Sequence, residues 1–336
     1  MSDSSQSLIG RIFTEWQSPG KAQRTALFER IERLTGRVLL AYVALPEAGP
    51  AAMIHFPDID LIVEALRTLP SDRPLDLLLN TPGGLPDVAQ HLMAYLRSRH
   101  SRVRVLVPNM AKSAGTLMAL AADAIVMGPP SQLGPIDPQL PYKGQLLPAH
   151  AVVDSHRTFL KDLRKRGNVT PVDWLQLQQF DPALMDYAQK AIEEAQRVAR
   201  TWLKQGMLQH SPSQAAKTAR RLAQNRGSHA QAITAAEARD EYGLTIEALT
   251  WGDPLWDAVW ELYVWLTFLA RQQQAAKVIA TSAAELTIRV ANAPTPPHAN
   301  SPAPPAPAPA PAMPPAAPAT PESPPQPPDA PPRTPE

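Results

Sequence analysis

Residues 75–139 read LDLLLNTPGGLPDVAQHLMAYLRSRHSRVRVLVPNMAKSAGTLMALAADAIVMGPPSQLGPIDPQ. Three short apolar runs lie in this stretch, at 75–79, 103–107 and 124–127, each followed by a turn signal. Such runs suit strands buried on both faces of a parallel sheet. Two segments with helical character, 85–99 and 114–122, separate them. Strand, helix, strand, helix, strand is the order of right-handed crossovers in an α/β sheet. Such sheets place their chemistry at the ends of the strands. Two features stand there: the diglycine Gly83-Gly84, after Thr81-Pro82, and Ser113, one residue before a predicted helix start.

A serine at a helix N-terminus has unpaired backbone N–H groups beside it and the positive end of the helix dipole behind it. Both favour a developing oxyanion. Glycines reach backbone angles that other residues avoid, so a second N–H can be aimed at the same point. Alone, each feature also has an ordinary reading, Ser113 as an N-cap and Pro-Gly-Gly as a strand-to-helix turn. Taken together they point to a serine nucleophile with an oxyanion hole. Asp137, held between Pro135 and Pro138, suits orienting an imidazole and equally suits an Asx-turn.

NTPGG, followed by AKSAGTLMALAADAIVMGPPSQLGPIDPQ, resembles the Clp-protease/crotonase superfamily, and within it the serine dehydrogenase proteinase family. KSAGT and LGPIDPQ are the most specific pieces; the resemblance runs over about residues 38–249 and is strongest over 75–139. It implies an α/β fold of the Clp/crotonase type, a stacked ββα superhelix carrying added helices. It also implies an ATP-independent serine endopeptidase, like Clp proteases and signal peptide peptidases. Clp proteases carry a catalytic histidine in the region matching LGPIDPQ and a triad aspartate in the loop before the last Ala-rich helix. In this chain Asp137 stands at the first place and His229 at the second. The implied triad is therefore Ser113, Asp137 and His229, with the roles of the last two positions exchanged. A triad is defined by geometry, not chain order, so the exchange is chemically allowed. The implied oxyanion hole uses the N–H groups of Gly84 and Ala114, with Gly83 shaping the turn.

Other candidates for the base are weaker. Lys112 adjoins Ser113, but neighbouring side chains usually project apart, so it reads as structural or substrate-facing. His150 and His156 lie on a predicted helix over 150–165. Lys161 and Lys165 lie on the same helix, among Arg157, Arg164 and Arg166, in a cluster that reads as solvated surface. His55 reads as a loop histidine, His100 as part of a solvated basic helix end, and Asp58 as a helix cap. Two rival functions stay open: a crotonase-like enzyme acting on acyl-CoA, and a non-catalytic scaffold.

Composition sets the outer bounds. The 336 residues carry a formal charge of +1 and no cysteine. A balanced charge gives no field for nucleic acid or an anionic membrane. Without cysteine there are no disulfides or thiolate sites, which suits a reducing compartment. The start, MSDSSQSLIGRIF, lacks signal-peptide character, and no run reaches the ~18 apolar residues of a membrane helix. A cytoplasmic homo-oligomer acting on peptides or proteins is expected, with no metal or nucleotide cofactor implied. The domain reading is a helical arm over 1–36, the proteinase domain over 37–250, a C-terminal helix over 251–290 for packing or oligomerisation, and a tail over 291–336. Residues 294–336 hold 20 of the 39 prolines. Such a tail is expected to be disordered with polyproline II bias, open to a polyproline-binding partner.

Overall fold

The structure, a computed structural model, describes residues 20–67, 69–142, 144–224 and 231–289. Helix α1 (Lys21–Thr35) leads into strand β1 (Val38–Ala44), a 3₁₀ segment (Pro46–Ala52) and α2 (Pro57–Leu66). Then follow β2 (Leu75–Asn80), α3 (Pro86–Arg99), β3 (Val103–Val107), β4 (Met110–Ala111), α4 (Ala114–Leu120), β5 (Ala124–Met127) and β6 (Gln132–Leu133). A hairpin, β7 (Gln139–Tyr142) and β8 (Gln145–Pro148), opens a helical stretch of α5 (Ala149–Arg166), α6 (Pro171–Leu177), α7 (Pro182–Gln205) and α8 (Pro212–Ala223). The described chain closes with α9 (Ala235–Asp240), β9 (Ile246–Ala248), α10 (Pro254–Gln272), β10 (Ala275–Ala280) and β11 (Glu285–Arg289).

The three apolar runs become β2, β3 and β5, as expected, and form the middle of a seven-stranded sheet ordered β11-β10-β1-β2-β3-β5-β9. Strands β1, β2, β3, β5 and β9 are mutually parallel, and β10 runs antiparallel to β1. Alternation along each strand splits the core in two. Leu77, Leu79, Val105, Ile125 and Met127 join α2, α3, α4, α7 and α8 on one face. Leu78, Leu106 and Val126 face α1 and α10 on the other. Each of β2, β3 and β5 is thus covered on both sides, which is why its sequence is largely apolar rather than alternating. The result is the α/β architecture expected, with added helices.

The structure departs from the sequence reading at the C-terminal end. Among the described residues of 251–290 only Pro254–Gln272 is helical, and the chain then returns as β10 and β11. Strand β10 reads AAKVIA and is buried at all six positions. Its charged member, Lys277, is neutralised by an ion pair with Asp58, which lets a lysine sit in a core strand. Asp58 is accordingly no simple cap: helix α2 begins without a side-chain cap bond, and the Asp58 carboxylate turns into the core. His100 is also corrected. It is 2% exposed, with Nδ1 2.9 Å from the Arg73 carbonyl, rather than solvated at a basic helix end. Burial lowers its pKa. Residues 1–19 of the helical arm and the tail beyond 289 lie outside the described residues, as does His229.

Candidate active site

The ends of β2 and β3 are drawn together by short pairings outside the main sheet. Thr81 bridges Ala111, with Thr81 N–H donating to Met110 O at 2.9 Å and Lys112 N–H to Thr81 O at 3.1 Å. Strand β4 pairs with β6, and Leu133 of β6 bridges Ile233. This ladder, 81 to 111 to 133 to 233, carries the turns that surround Ser113. Asn80, buried at the end of β2, ties it to the main sheet. Its amide donates to Ala44 O at 2.9 Å and its carbonyl accepts from Met110 N–H at 3.1 Å. The Thr116 hydroxyl does similar work from α4, donating to Ala111 O at 2.7 Å and accepting from Gly134 N–H at 3.0 Å. Asn80, Thr81 and Thr116 were not singled out by the sequence. They lie within the NTPGG and KSAGT motifs that carry the family resemblance, but nothing in those motifs gave them a role.

Ser113 occupies the N-cap position of α4, as the sequence suggests, but not as an ordinary cap. Its backbone lies at φ 49°, ψ −115°, and its side chain makes no capping hydrogen bond. An N-cap serine is normally extended and accepts from the first turn. Positive φ in a non-glycine residue costs about 1–3 kcal/mol. Among the described residues the other case is Gln274, which follows a helix end, where the left-handed region is a common terminator.

The diglycine packs directly on this serine. Gly83 (φ 113°) and Gly84 (φ 150°) take conformations side chains rarely adopt. A Cβ on Gly83 would lie 2.9 Å from Ser113 Cβ and 3.5 Å from Ala114 N. A Cβ on Gly84 would lie 2.2 Å from Ile54 N. The Gly83 N–H is used by Thr81 Oγ1 at 3.1 Å, and Gly83 O accepts from Ile54 N–H at 2.8 Å. The N–H groups of Gly84 and Ala114 have no acceptor among the described residues. Two donors are therefore unspent, one next to this strained, capless serine at Ala114 and one in the diglycine turn that packs on it.

Lys112 is occupied structurally. Its ammonium donates to Leu133 O at 3.1 Å and Gln231 O at 2.9 Å, and burial lowers its pKa. Asp137 is 2% exposed and accepts from the Gln139 side-chain amide at 2.7 Å. It stands four residues past Leu133 in a loop whose Ile136 N–H donates to Leu222 O at 3.1 Å. His150 is half-buried in the first turn of α5, which starts with Ala149 N–H on Pro138 O at 2.8 Å. His150 Nδ1 is buried without a partner among the described residues. His156 packs edge-on against Phe180, with ring centroids 4.9 Å apart. Lys161 and Lys165 are exposed, and His55 lies by the Asp58–Lys277 pair, with Nδ1 3.4 Å from Lys277 Nζ. Among the described residues no group of three or more histidine, aspartate or glutamate side chains is arranged to hold a metal, and no helix is long and apolar enough to cross a membrane.

A largely parallel sheet with a helix-start serine and a diglycine turn at its strand ends defines a Clp-like α/β protein. The chain belongs to the family of ClpP-like SDH-type serine proteinases, whose sequence profile matches residues 51–264. It is similar to two uncharacterised proteins of Methanocaldococcus jannaschii. The first is 35% identical over 194 residues, 58% of this chain and 60% of the relative. The second is 27% identical over 224 residues, 65% of this chain and 70% of the relative. The match thus spans about three-fifths of the first relative's length. Among solved structures it is similar to a mutant of 1510-N, a membrane-bound stomatin-specific protease, at 15% identity and TM-score 0.37 over 71% of this chain and 89% of that one. A second mutant of that protease, in complex with a substrate peptide, gives 17% identity and TM-score 0.34 over 70% and 80% of the two chains.

Proposed function

We propose that this protein is a serine peptidase in which Ser113 is the nucleophile, His229 the general base and Asp137 the residue that orients it. The observation that carries this reading is the Ser113 backbone, strained and capless, packed against Gly83 and followed by the free N–H of Ala114, with the Gly84 N–H of the same turn also free among the described residues. A serine held this way gains nothing as a cap, so the strain is explained by its exposing a hydroxyl to substrate. Family membership adds independent support.

In the proposed reaction Ser113 Oγ attacks the scissile carbonyl carbon and its proton passes to His229. The carbonyl oxygen becomes an oxyanion that accepts from Gly84 and Ala114 N–H. Collapse breaks the C–N bond, and the leaving amine takes the proton from His229. Water, activated by the same imidazole, then hydrolyses the acyl-enzyme and regenerates Ser113. The assignment of the base is supported by connectivity. Gln231, two residues beyond His229, gives its carbonyl to Lys112, the residue before Ser113. Ile233 pairs with Leu133, four residues before Asp137. Both ends of this argument lie on the ladder that carries Ser113.

The polypeptide substrate, endopeptidase action and self-association belong to the same proposal. Val169, Val172, Trp174 and Leu175, exposed around α6, support a self-associating surface.

The test compares His229→Ala and His150→Ala in hydrolysis of a fluorogenic peptide. His229→Ala is expected to lower kcat by at least about 10³-fold, while His150→Ala stays within a few-fold of wild type. The reverse pattern would move the base to α5 and break the exchanged triad. Turnover of acyl-CoA thioesters but not peptides would favour the crotonase-like rival.

A further inference from the structure

A second buried cluster lies on the far side of the diglycine turn from Ser113. Lys277 Nζ donates to Met53 O at 2.7 Å, and to Asp58 Oδ1 and Oδ2 at 2.7 and 2.9 Å. Asp58 Oδ2 also accepts from Tyr42 OH at 2.8 Å and from His55 N–H at 2.9 Å. Lys277, Asp58 and Tyr42 are each at most 1% exposed. A buried pair of this kind adds little net stability over an apolar pair of the same volume, so its retention asks for another role.

The role is visible one residue along the chain. Met53, whose carbonyl Lys277 holds, precedes Ile54. Ile54 clasps the diglycine turn from both sides: its N–H donates to Gly83 O at 2.8 Å, and its carbonyl accepts from Leu85 N–H at 2.9 Å. The clasp is tight, since the place of a Gly84 Cβ is filled by Ile54 backbone. The Ile54 side chain is buried in the core, and its contacts with the turn are made by its backbone, held between its two neighbours. On one side stands Met53, on the other His55, and both are tethered to the Lys277–Asp58 pair.

We infer that Lys277, with Asp58, is a positioning residue for the oxyanion hole, setting the Gly84 N–H through Met53 and Ile54. This rests on the serine-peptidase reading for its catalytic consequence. It brings β10 and β1, both beyond the residues 51–264 that match the family, into the working site. Burial lowers the pKa of Lys277, while hydrogen bonding and charge from Asp58 oppose that shift. Burial and the neighbouring carboxylate hold Tyr42 well above the usual phenol range. The cluster is therefore a lysine–carboxylate pair with a neutral phenol, all hydrogen-bonded.

The test is the double variant Lys277→Met/Asp58→Asn, which removes both charges while keeping volume and leaving no lone buried charge. Two readouts are taken well below its melting temperature. The first is kcat and KM for a short fluorogenic peptide, per active site titrated with a fluorophosphonate. The expectation is kcat down about tenfold or more, a fraction of the loss for deleting a whole oxyanion donor, with KM within about twofold. The second is amide hydrogen exchange at Ile54 and Leu85, expected to quicken while exchange in β2 and β3 is unchanged. A variant that melts lower but keeps wild-type kcat per titrated site would overturn the inference and leave a purely structural pair. If wild type shows no Ser113-dependent turnover, the peptidase reading fails instead. Exchange then decides the clasp, and unchanged rates at Ile54 and Leu85 would overturn it. Should the double variant not fold, Lys277→Arg gives the same two readouts with the charge kept. A planar guanidinium does not reproduce an ammonium held between Met53 O and Asp58, so wild-type kcat in that variant would equally overturn the inference.

Discussion

Ser113 and Gly84 show how much of this site is decided by backbone rather than by side chains. A helix-start serine is common, and the sequence alone leaves its ordinary capping role open. What separates it from a cap is a φ of 49° and an unused side chain, neither of which a residue name discloses. The glycines are more legible. Two in succession after a strand announce unusual angles, and both have positive φ. Their steric reason, the Ile54 backbone on one side and Ser113 on the other, involves a residue about thirty positions upstream and could not be read. Gly84→Ala tests this directly. The new methyl has no room beside Ile54, so the turn must move and the N–H with it. We expect kcat to fall by about 10²-fold or more, the scale of losing one oxyanion donor. The melting point should drop as well. Peptide hydrolysis within twofold of wild type would show that this N–H takes no part.

At the scale of elements, the central strands were legible because each is a short apolar run buried on both faces. The helices between them, and α5 over the predicted 150–165, also follow their sequence signals. Strand β10 was hidden for a definable reason. It follows α10 after only two residues, it is half alanine, and a lysine interrupts it. Lys277 reads as solvent-facing until its partner Asp58, 219 positions away, is known. His100 misled in the same way, since the arginines around it suggest a wet surface, while the chain at Arg73 covers it. The two-residue strands β4 and β6 carry no sequence signal at all. A pair of truncations separates elements that matter from those that do not. Ending the chain after Gln274 removes β10 and β11, uncovers an edge of β1 and strands Asp58 as a lone buried carboxylate, a loss of about 3–5 kcal/mol from that residue alone. That protein is expected to lose its cooperative melt. Ending it after Ala291 removes a segment in which nearly half the residues are proline and Met313 is the one large apolar side chain. Ordering such a segment costs ~1–2 kcal/mol per residue with little burial to offset it. Its removal is expected to leave the melting temperature within roughly 2 °C and peptide turnover unchanged. A clear loss of either would make the tail part of the folded enzyme.

The described part of the first compact unit (Met1–Ala291) is a sheet covered by helices on both faces, with the proposed chemistry gathered where β2 and β3 end and short pairings take over. The near-zero net charge supplies no long-range steering of an ionic ligand. The proposed site rests instead on its donors, the N–H groups of Gly84 and Ala114, which have no acceptor among the described residues. The proposed triad is the part least visible from composition, because Asp137 and His229 are 92 positions apart in the chain and either one alone resembles an ordinary loop residue. The central claim, however, is the nucleophile. Wild-type protein and Ser113→Ala should be treated with a fluorophosphonate probe, and the labelled residue identified by peptide mass spectrometry. The account requires one adduct per wild-type chain, on Ser113, and its absence from a variant that melts as wild type and no longer hydrolyses peptide. Equal labelling of the two proteins, or an adduct mapped to another serine, would contradict it.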